Sequence, residues 1–529
     1  MKNLAELASA VEGATVVGNA QVTDVCYDSR QVKPGDLFVC VCGLQSDGHR
    51  FAKAAVEKGA AALVVEHPVE GVEVPYMLVP DSRLALARVG AAFFDYPARE
   101  MLNIGITGTN GKTTTAYLTE AVLRSMGRDP GLLGTIQARV GGQVRRLANT
   151  TPESLELQRL FREMRQAEQD SVVMEVSSHA LALGRTHGIP YDIAVFTNLT
   201  QDHLDFHKTM EEYFQTKTRL FRDLGTYAKR PCGPFAIINL DDPYGKRLCE
   251  LIQKRVPVIT YGTDSQADVR AFNVDASPNG LSFLVETRLE VSKVELQMSG
   301  MFNLHNCLAA IAVGIALRGN MRDIVAGVET VASVPGRFQL VREGQPFTVV
   351  VDYAHTPDGL QRVLESARAI TSNKLSVVFG CGGDRDKGKR PIMGRIAADL
   401  ADKVFVTSDN PRSEEIADII AQIMEGVGQS SASPQVEIEP DRALAIAKAL
   451  AQAEEGDTVV IAGKGHEDYQ KFRDRTVHFD DVEVARENLR KRQGAQMLAS
   501  FVPKVRLPIN WDYSMLRTPE EIKSILGIA

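Results

Sequence analysis

The chain has 529 residues, of which 44% are hydrophobic and 24% charged, and its formal net charge is −7. That length exceeds one ordinary hydrophobic core and predicts about two to four domains. The acidic balance argues against a broad nucleic-acid surface, and no run approaches the roughly 18 apolar residues of a membrane span.

The start, MKNLAELASAVEGA, has no long apolar core, so no signal peptide is expected. Seven cysteines, an odd number without framework spacing, favour the reducing cytoplasm. Residues 1–100 read as a small α/β unit, with DLFVCVCG and AAALVVEHP as short buried strands. Cys40 and Cys42 alternate in the first of these, which suggests a strand with reduced thiols rather than a zinc knuckle. From residue 101 to 333, apolar strands such as SVVMEV, IAVFTNL and FAIINLDDP alternate with helical stretches, the pattern of a parallel sheet covered by helices. VASVPGRFQLV breaks that pattern at Pro335–Gly336. A second alternating block, residues 334–490, contains FTVVVDYAH, LSVVFGCGG, DKVFVTSDNP and DTVVIAGKGHE and predicts another open sheet. The tail, 491–529, holds the single tryptophan, Trp511, and no role is assigned to it.

The stretch MLNIGITGTNGKTTTAYLTEAVL joins a buried strand (Leu102, Ile104, Ile106) to a helix expected over Thr113–Met126. Unpaired amides and the dipole at a helix N-terminus favour an anion. Gly108 and Gly111 let backbone approach phosphate oxygens, Lys112 reaches terminal phosphates and the Thr113 hydroxyl suits Mg²⁺. Ile106 stands where the strict phosphate-loop pattern has glycine, so only the back half matches: Gly108, Thr109, Asn110, Gly111, Lys112, Thr113, Thr114. Glu175 ends a buried strand and suits Mg²⁺, although alone it reads equally as a solvent-facing strand end. His203 and His207 sit four apart without the HExxH of a zinc pair. Lys217 lies on an amphipathic helix with Tyr213, Phe214, Leu220 and Phe221, where a solvated charge is the ordinary reading.

Taken together, TGTNGKTTT, NTTPE, EVSSHAL, FTNLTQDHLDFH, GMFNLHN, PGRFQ, DYAHTPDGL, GCGGDRDKGKRP, DNPR and GKGHEDYQ, in this order over about residues 20–490, resemble the Mur ligase family. The resemblance implies an α/β protein of three domains: a small N-terminal α/β domain for a UDP-sugar (1–100), a central P-loop parallel-sheet ATPase domain (101–333) and a C-terminal Rossmann-like domain for an amino acid (334–490). It implies Mg²⁺, ATP as co-substrate, and a carbamate on Lys217 that joins Thr113, Glu175 and His203 as metal ligands. Thr216 precedes that lysine where alanine is common. Lys112, Lys217, His203 and Glu175 are the expected catalytic set. Asn303, Asn306, Arg337 and His355 match family positions near ATP. Tyr27, Ser29, Leu44, Gln45, Ser46, Asn149, Thr150, Thr151, Ser177, Leu183 and Arg185 match the positions that hold UDP-N-acetylmuramoyl-L-alanyl-D-glutamate, with Leu183 departing from a polar glutamine. Asp409, Asn410, Pro411 and Arg412, with Arg390, Gly463 and Glu467, match the amino-acid site.

In that site an Arg412 guanidinium gives a physical reason to choose meso-diaminopimelate over lysine, because the two differ by a distal carboxylate. The expected reaction therefore adds meso-diaminopimelate to the dipeptide acid through an acyl phosphate, by a cytoplasmic monomer that binds no nucleic acid and inserts in no membrane. Competing readings are a lysine-adding, other Mur or folylpolyglutamate-type ligase, including those that add alanine, glutamate or D-Ala-D-Ala, and a non-catalytic P-loop nucleotide-binding protein, which would not need Glu175, His203 and Lys217.

Overall fold

The computed structural model describes residues 1–43, 46–225 and 233–501. The expected positions Leu44 and Gln45, and Trp511 with most of the tail, lie outside the described residues. Three large sheets build an α/β architecture. The first has five strands in the order Thr15–Val17, Tyr76–Leu78, Ala62–Val65, Asp36–Val39 and Asp24–Cys26. Asp36–Val39 and Ala62–Val65 are buried throughout. The first of these ends at Val39, short of the expected alternation, and Cys42 instead makes an isolated bridge to Asp47.

The second sheet has eleven strands. Its parallel centre runs Pro130–Leu133, Ser171–Glu175, Leu102–Thr107, Ile193–Phe196, Phe235–Asn239 and Val258–Gly262. Every residue of Leu102–Thr107, Ser171–Glu175 and Ile193–Phe196 is buried, because one apolar layer covers each face. On one face Lys112–Ser125 packs against Met301–Ala316 and Met321–Glu329. The alternation expected up to residue 333 stops sooner. Val269–Ser277, Gly280–Glu286 and Val291–Leu296 form an antiparallel meander that extends the sheet edge. Its outer strand alternates exposed and buried residues, as a half-covered ribbon should.

The third sheet has six strands: Gln339–Leu340, Thr348–Asp352, Thr458–Ala462, Leu375–Phe379, Lys403–Val406 and Gln435–Ile438. All pair in parallel except the first. Register sets where the loops emerge. Glu175 pairs with Ile106, and Phe196 with Thr107, so three central strands end level. Asp352 pairs with Ala462, and Phe379 with Val406, so the loops of the third sheet also leave from one edge. Open α/β sheets bind ligands at such carboxyl edges. Among the described residues no helix is long and apolar enough to cross a membrane.

Candidate functional site

The loop after Leu102–Thr107 is shaped by two glycines. Gly108 has φ +151° and Gly111 φ +85°, and a Cβ would fall 1.9 Å from Thr197 Oγ1 at the first and 2.3 Å from Asn306 Oδ1 at the second. No side chain fits either place. Thr109 N–H donates to the Asn198 carbonyl (2.9 Å) and Asn110 N–H to Asn198 Oδ1 (2.9 Å), which fixes the turn before the helix begins at Lys112. Lys112 Nζ donates to the carbonyls of Gly108 (3.0 Å) and Thr109 (2.7 Å), and burial lowers its pKa. Thr114 and Arg337 line a cavity of about 660 Å³ at this loop, together with Gly111, Asn239, His305 and Asn306.

Thr113 Oγ1 donates to Glu175 Oε2 at 3.0 Å and receives Arg337 Nη2 at 3.3 Å. Thr135 holds the same carboxylate through its amide (2.8 Å) and hydroxyl (3.0 Å). Lys217 is 2% exposed, and its Nζ donates to the Gly108 carbonyl at 2.8 Å, 4.6 Å from the centre of the Tyr213 ring. Burial, followed by the nearby Lys112, lowers its pKa well below the ordinary lysine value. The solvated reading of this lysine is thereby excluded. The structure thus brings Lys112, Thr113, Glu175 and Lys217 around one turn. His203 stands beyond Tyr213, its ring 6.3 Å from that ring, edge-on to His179 at 4.8 Å and 3.5 Å from Asp202.

The expected nucleotide residues divide. Asn303 Nδ2 donates to the Ser299 carbonyl (2.7 Å), and its Oδ1 accepts from Asn306 Nδ2 (3.1 Å), so Asn303 supports Asn306 from behind the cavity wall. His355 Nδ1 meets the Tyr353 carbonyl at 2.8 Å. Sequence reasoning missed His305, whose Nε2 lies 2.8 Å from Asp241 in the wall of the same cavity. It also missed Asp358, which accepts from Asn110 Nδ2 at 2.8 Å across 248 residues. The strand-end pair Asp241–Asp242 in FAIINLDDP and the motif GMFNLHN are the available signals for the first, and DYAHTPDGL, which contains Asp358, is the signal for the second.

Of the positions expected to hold the dipeptide, Thr150, Thr151, Ser177 and Arg185 are linked to Glu175 through hydrogen bonds. Thr151 Oγ1 donates to the Glu175 carbonyl (2.8 Å) and accepts Ser177 N–H (3.1 Å). Thr150 Oγ1 lies 3.1 Å from Thr135 Oγ1, and Arg185 Nη1 donates to the Thr151 carbonyl at 3.1 Å. Leu183 caps the short helix Ser178–Ala182, and Asn149 is exposed. Tyr27 OH donates to Glu156, the Ser29 carbonyl accepts Lys58 Nζ (2.9 Å), and the Ser46 carbonyl accepts Gly43 N–H (2.9 Å). Among the described residues, Cys42, Asp47 and His49 are the one trio of His, Cys, Asp or Glu whose ligand atoms lie within 4.8 Å of one another. His49 Nε2 accepts Glu66 N–H (2.9 Å), which puts its proton on Nδ1, 2.6 Å from Asp47. Both nitrogens are used, so this is a hydrogen-bonded hub and not a metal centre.

On the third sheet, Asn410 Nδ2 donates to Glu467 Oε2 (2.9 Å), while its Oδ1 accepts Lys471 N–H (2.9 Å) and Lys464 Nζ (3.2 Å). Arg412 adopts φ +51° behind Pro411; its amide donates to the Lys471 carbonyl (3.0 Å) and its Nη1 to the Gly383 carbonyl (2.8 Å). Gly463 has φ +118°, and a Cβ there would lie 2.9 Å from Asp409 Oδ2. Arg390, expected as a second carboxylate anchor, is fully buried. Its guanidinium donates to both oxygens of Glu414 (3.0 and 2.9 Å), to Gln422 (2.9 Å) and to the Gly382 carbonyl (3.1 Å), so it braces the loop from inside. The buried Lys464 was not singled out from the sequence.

Three family models match the chain: "Mur ligase family, catalytic domain" over residues 21–94, "Mur ligase middle domain" over 106–314 and "Mur ligase, glutamate ligase domain" over 336–465. A Geobacillus thermodenitrificans protein named UDP-N-acetylmuramoyl-L-alanyl-D-glutamate–2,6-diaminopimelate ligase is 46% identical over 476 residues, 90% of this chain and 96% of its own length. A Bacillus licheniformis protein of the same name is 46% identical over 465 residues, 88% of this chain and 94% of its own. A solved structure of a ligase of that name superposes with a TM-score of 0.65 at 34% identity, covering 89% of this chain and 95% of the other.

Proposed function

The chain belongs to the Mur ligase family, and from that premise we propose that it joins meso-diaminopimelate to UDP-N-acetylmuramoyl-L-alanyl-D-glutamate at the expense of ATP, giving the UDP-linked tripeptide of peptidoglycan synthesis. It acts in the cytoplasm, as a monomer, upstream of cell-wall growth and hence of cell shape and division. Residues 1–100 serve the UDP-sugar, 101–333 ATP, and 334–490 the amino acid.

A carboxylate is a poor electrophile, because its leaving group would be oxide. Transfer of the γ-phosphoryl group to the dipeptide carboxylate gives an acyl phosphate and ADP. The amine then attacks the carbonyl carbon, the tetrahedral adduct collapses, and phosphate leaves with release of a proton. No nucleophilic side chain is required. The chain's task is to bring two anions together and hold them in line. Lys112 and Arg337 meet at the phosphate turn and offset the repulsion; Thr150, Thr151, Ser177 and Arg185, beside Glu175, orient the dipeptide acid.

The residues also fit Mg²⁺. Thr113 and Glu175 already share a hydrogen bond, and Lys217 is a buried amine held toward its neutral form, the form that adds CO₂. As N6-carboxylysine it would join Thr113, Glu175 and His203 as an oxygen ligand, and the bound ion would supply charge neutralisation at the phosphates.

The observation that most supports the substrate reading is the pairing of two loops at one sheet edge. Asn410 joins the Asp409–Arg412 turn to Glu467, so the loop that carries a guanidinium is tied to the loop that carries a carboxylate, the two charges that an amino acid with a distal ammonium and carboxylate calls for. The test is ATP-dependent coupling to the dipeptide substrate across a panel of amino acids. Diaminopimelate should be used in strong preference to lysine, with phosphate released only when both substrates are present. Equal turnover with lysine rejects the choice of amino acid, and phosphate release without the dipeptide rejects the ligase.

A further inference from the structure

Arg442 and Asp481 form a fully buried ion pair in the third sheet's unit, both side chains 0% exposed. Arg442 Nε and Nη2 each donate to one oxygen of Asp481 at 2.7 Å. The remaining reach of the guanidinium is used on two backbone carbonyls: Nη2 donates to Ala462 (3.0 Å) and Nη1 to Ser408 (3.3 Å). Those carbonyls lie at the carboxyl ends of Thr458–Ala462 and Lys403–Val406, which are not neighbours, since Leu375–Phe379 runs between them. Ala462 directly precedes Gly463, and Ser408 directly precedes Asp409. One planar cation therefore spans the starting points of both loops that the proposed amino-acid site is built from. Asp481, at the head of the last helix, holds the cation in place and neutralises it.

We propose that Arg442, oriented by Asp481, is a positioning residue for the amino-acid pocket: it sets the spacing between the Asp409–Arg412 turn and the Gly463–Glu467 loop. The inference rests on the reading of those loops as the amino-acid site. A buried pair of this kind is seldom needed for stability as such, because an apolar pair of similar volume often serves as well. What an apolar pair cannot do is bond two carbonyls at a fixed distance. A lysine at 442 keeps the charge but loses the fork. Gln470 makes a second, weaker cross-link, its Nε2 donating to Ser408 Oγ and to the Asp409 carbonyl, each at 2.8 Å, so the expected effect is partial.

The experiment compares wild type, Arg442→Lys and the double variant Arg442→Met with Asp481→Leu in the full chain. The expected result for both variants is a rise of about tenfold in KM for diaminopimelate, with kcat and the KM values for ATP and dipeptide within about twofold of wild type. Amide exchange at 408–412 and 463–467 should quicken while exchange at the phosphate turn stays unchanged. Equal rises in all three KM values, or unaltered exchange in the two loops, overturn the proposal. If the double variant does not fold, stability and not positioning is the role of the pair, and the proposal falls. A wild-type enzyme that does not use diaminopimelate would sink the substrate reading alone, because the exchange measurement still decides whether Arg442 ties the loops.

Discussion

Two loop systems sit at the carboxyl edges of two parallel sheets, and they treat positive charge in opposite ways. Around the phosphate turn, Lys112 and Arg337 donate to carbonyls and to a hydroxyl, and among the described residues neither makes an ion pair. At the third sheet the cations are matched inside the protein: Arg390 with Glu414, Arg442 with Asp481 and Lys464 with Glu467. A place that receives a polyanion gains from leaving its cations uncompensated, since the ligand supplies the counter-charge. A place that receives a zwitterion needs charge of both signs in a set geometry, and unmatched cations there would attract the wrong ligand. Arg412 is the telling exception, a third-sheet guanidinium that donates to a backbone carbonyl and not to a carboxylate. It is the one expected to meet the distal carboxylate of the substrate.

The sharpest break between the two systems comes from the phosphate turn. Lys112→Met should lower kcat/KM by roughly 10²–10³-fold, the usual effect of losing one electrostatic contact in a transition state. The KM for the amino acid should stay near the wild-type value. Lys217→Arg is the finer probe. Arginine is of similar length but cannot be converted to a carbamate, so turnover should collapse to a similar degree while the fold persists. Wild-type turnover by Lys217→Arg would remove the carbamate from the account and leave the lysine as a plain cation.

A smaller and opposite pattern is expected from Arg412→Ala. Loss of a partner to a fully buried charge costs ~3–5 kcal/mol, but this guanidinium is only half-buried, so roughly a 10- to 100-fold rise in KM for diaminopimelate is expected. The KM for ATP should not move. Steady-state kinetics with each substrate varied in turn separates the two systems. If Arg412→Ala and Lys112→Met shifted the same constants, the division of labour between the sheets would be wrong.

How much of this was legible in the sequence depends on where the partners lie. Leu102–Thr107 and Thr458–Ala462 are buried on both faces, so their unbroken apolar runs are local and readable. The phosphate turn is readable for the same reason: Gly108, Gly111 and Lys112 act within five residues of one another. The helix it feeds runs Lys112–Ser125, one residue from expectation at each end. The meander of Val269–Leu296 departs from the expected alternation because half-covered ribbons carry a weaker apolar signal than buried strands. Arg442 and Asp481 are 39 residues apart, and Arg390 and Glu414 are 24 apart. Each of those charges alone looks like a solvated surface group, and only the fold turns it inward. Lys217 shows the limit most plainly, since its helix stripe is ordinary and its role depends on burial beneath a turn more than a hundred residues earlier in the chain.

The smallest predicted effect tests the matched charges of the third sheet by acid. The Arg390 guanidinium, bonded to both oxygens of Glu414, holds that carboxyl down to about 2, with the Asp384 amide also contributing. The fold therefore favours the charged form. Stability from this pair is fully present above the ordinary carboxylate value of 4.5 and is lost as pH falls toward about 2. Glu414→Gln removes the titration but keeps the side-chain shape. Wild type should melt a few degrees above Glu414→Gln at pH 6, and the gap should narrow steadily as the pH is lowered from 4.5. Because Arg390 is buried, protonating Glu414 leaves a cation with no counter-charge, and the third sheet's unit should loosen first. Amide exchange at low pH locates the change: it should appear at 382–390 and 411–414 before the phosphate turn, whose cations had no carboxylate partner to lose. A gap between the two proteins that stays constant from pH 6 to pH 3 would mean that the Arg390–Glu414 pair does not stabilise the loop through charge.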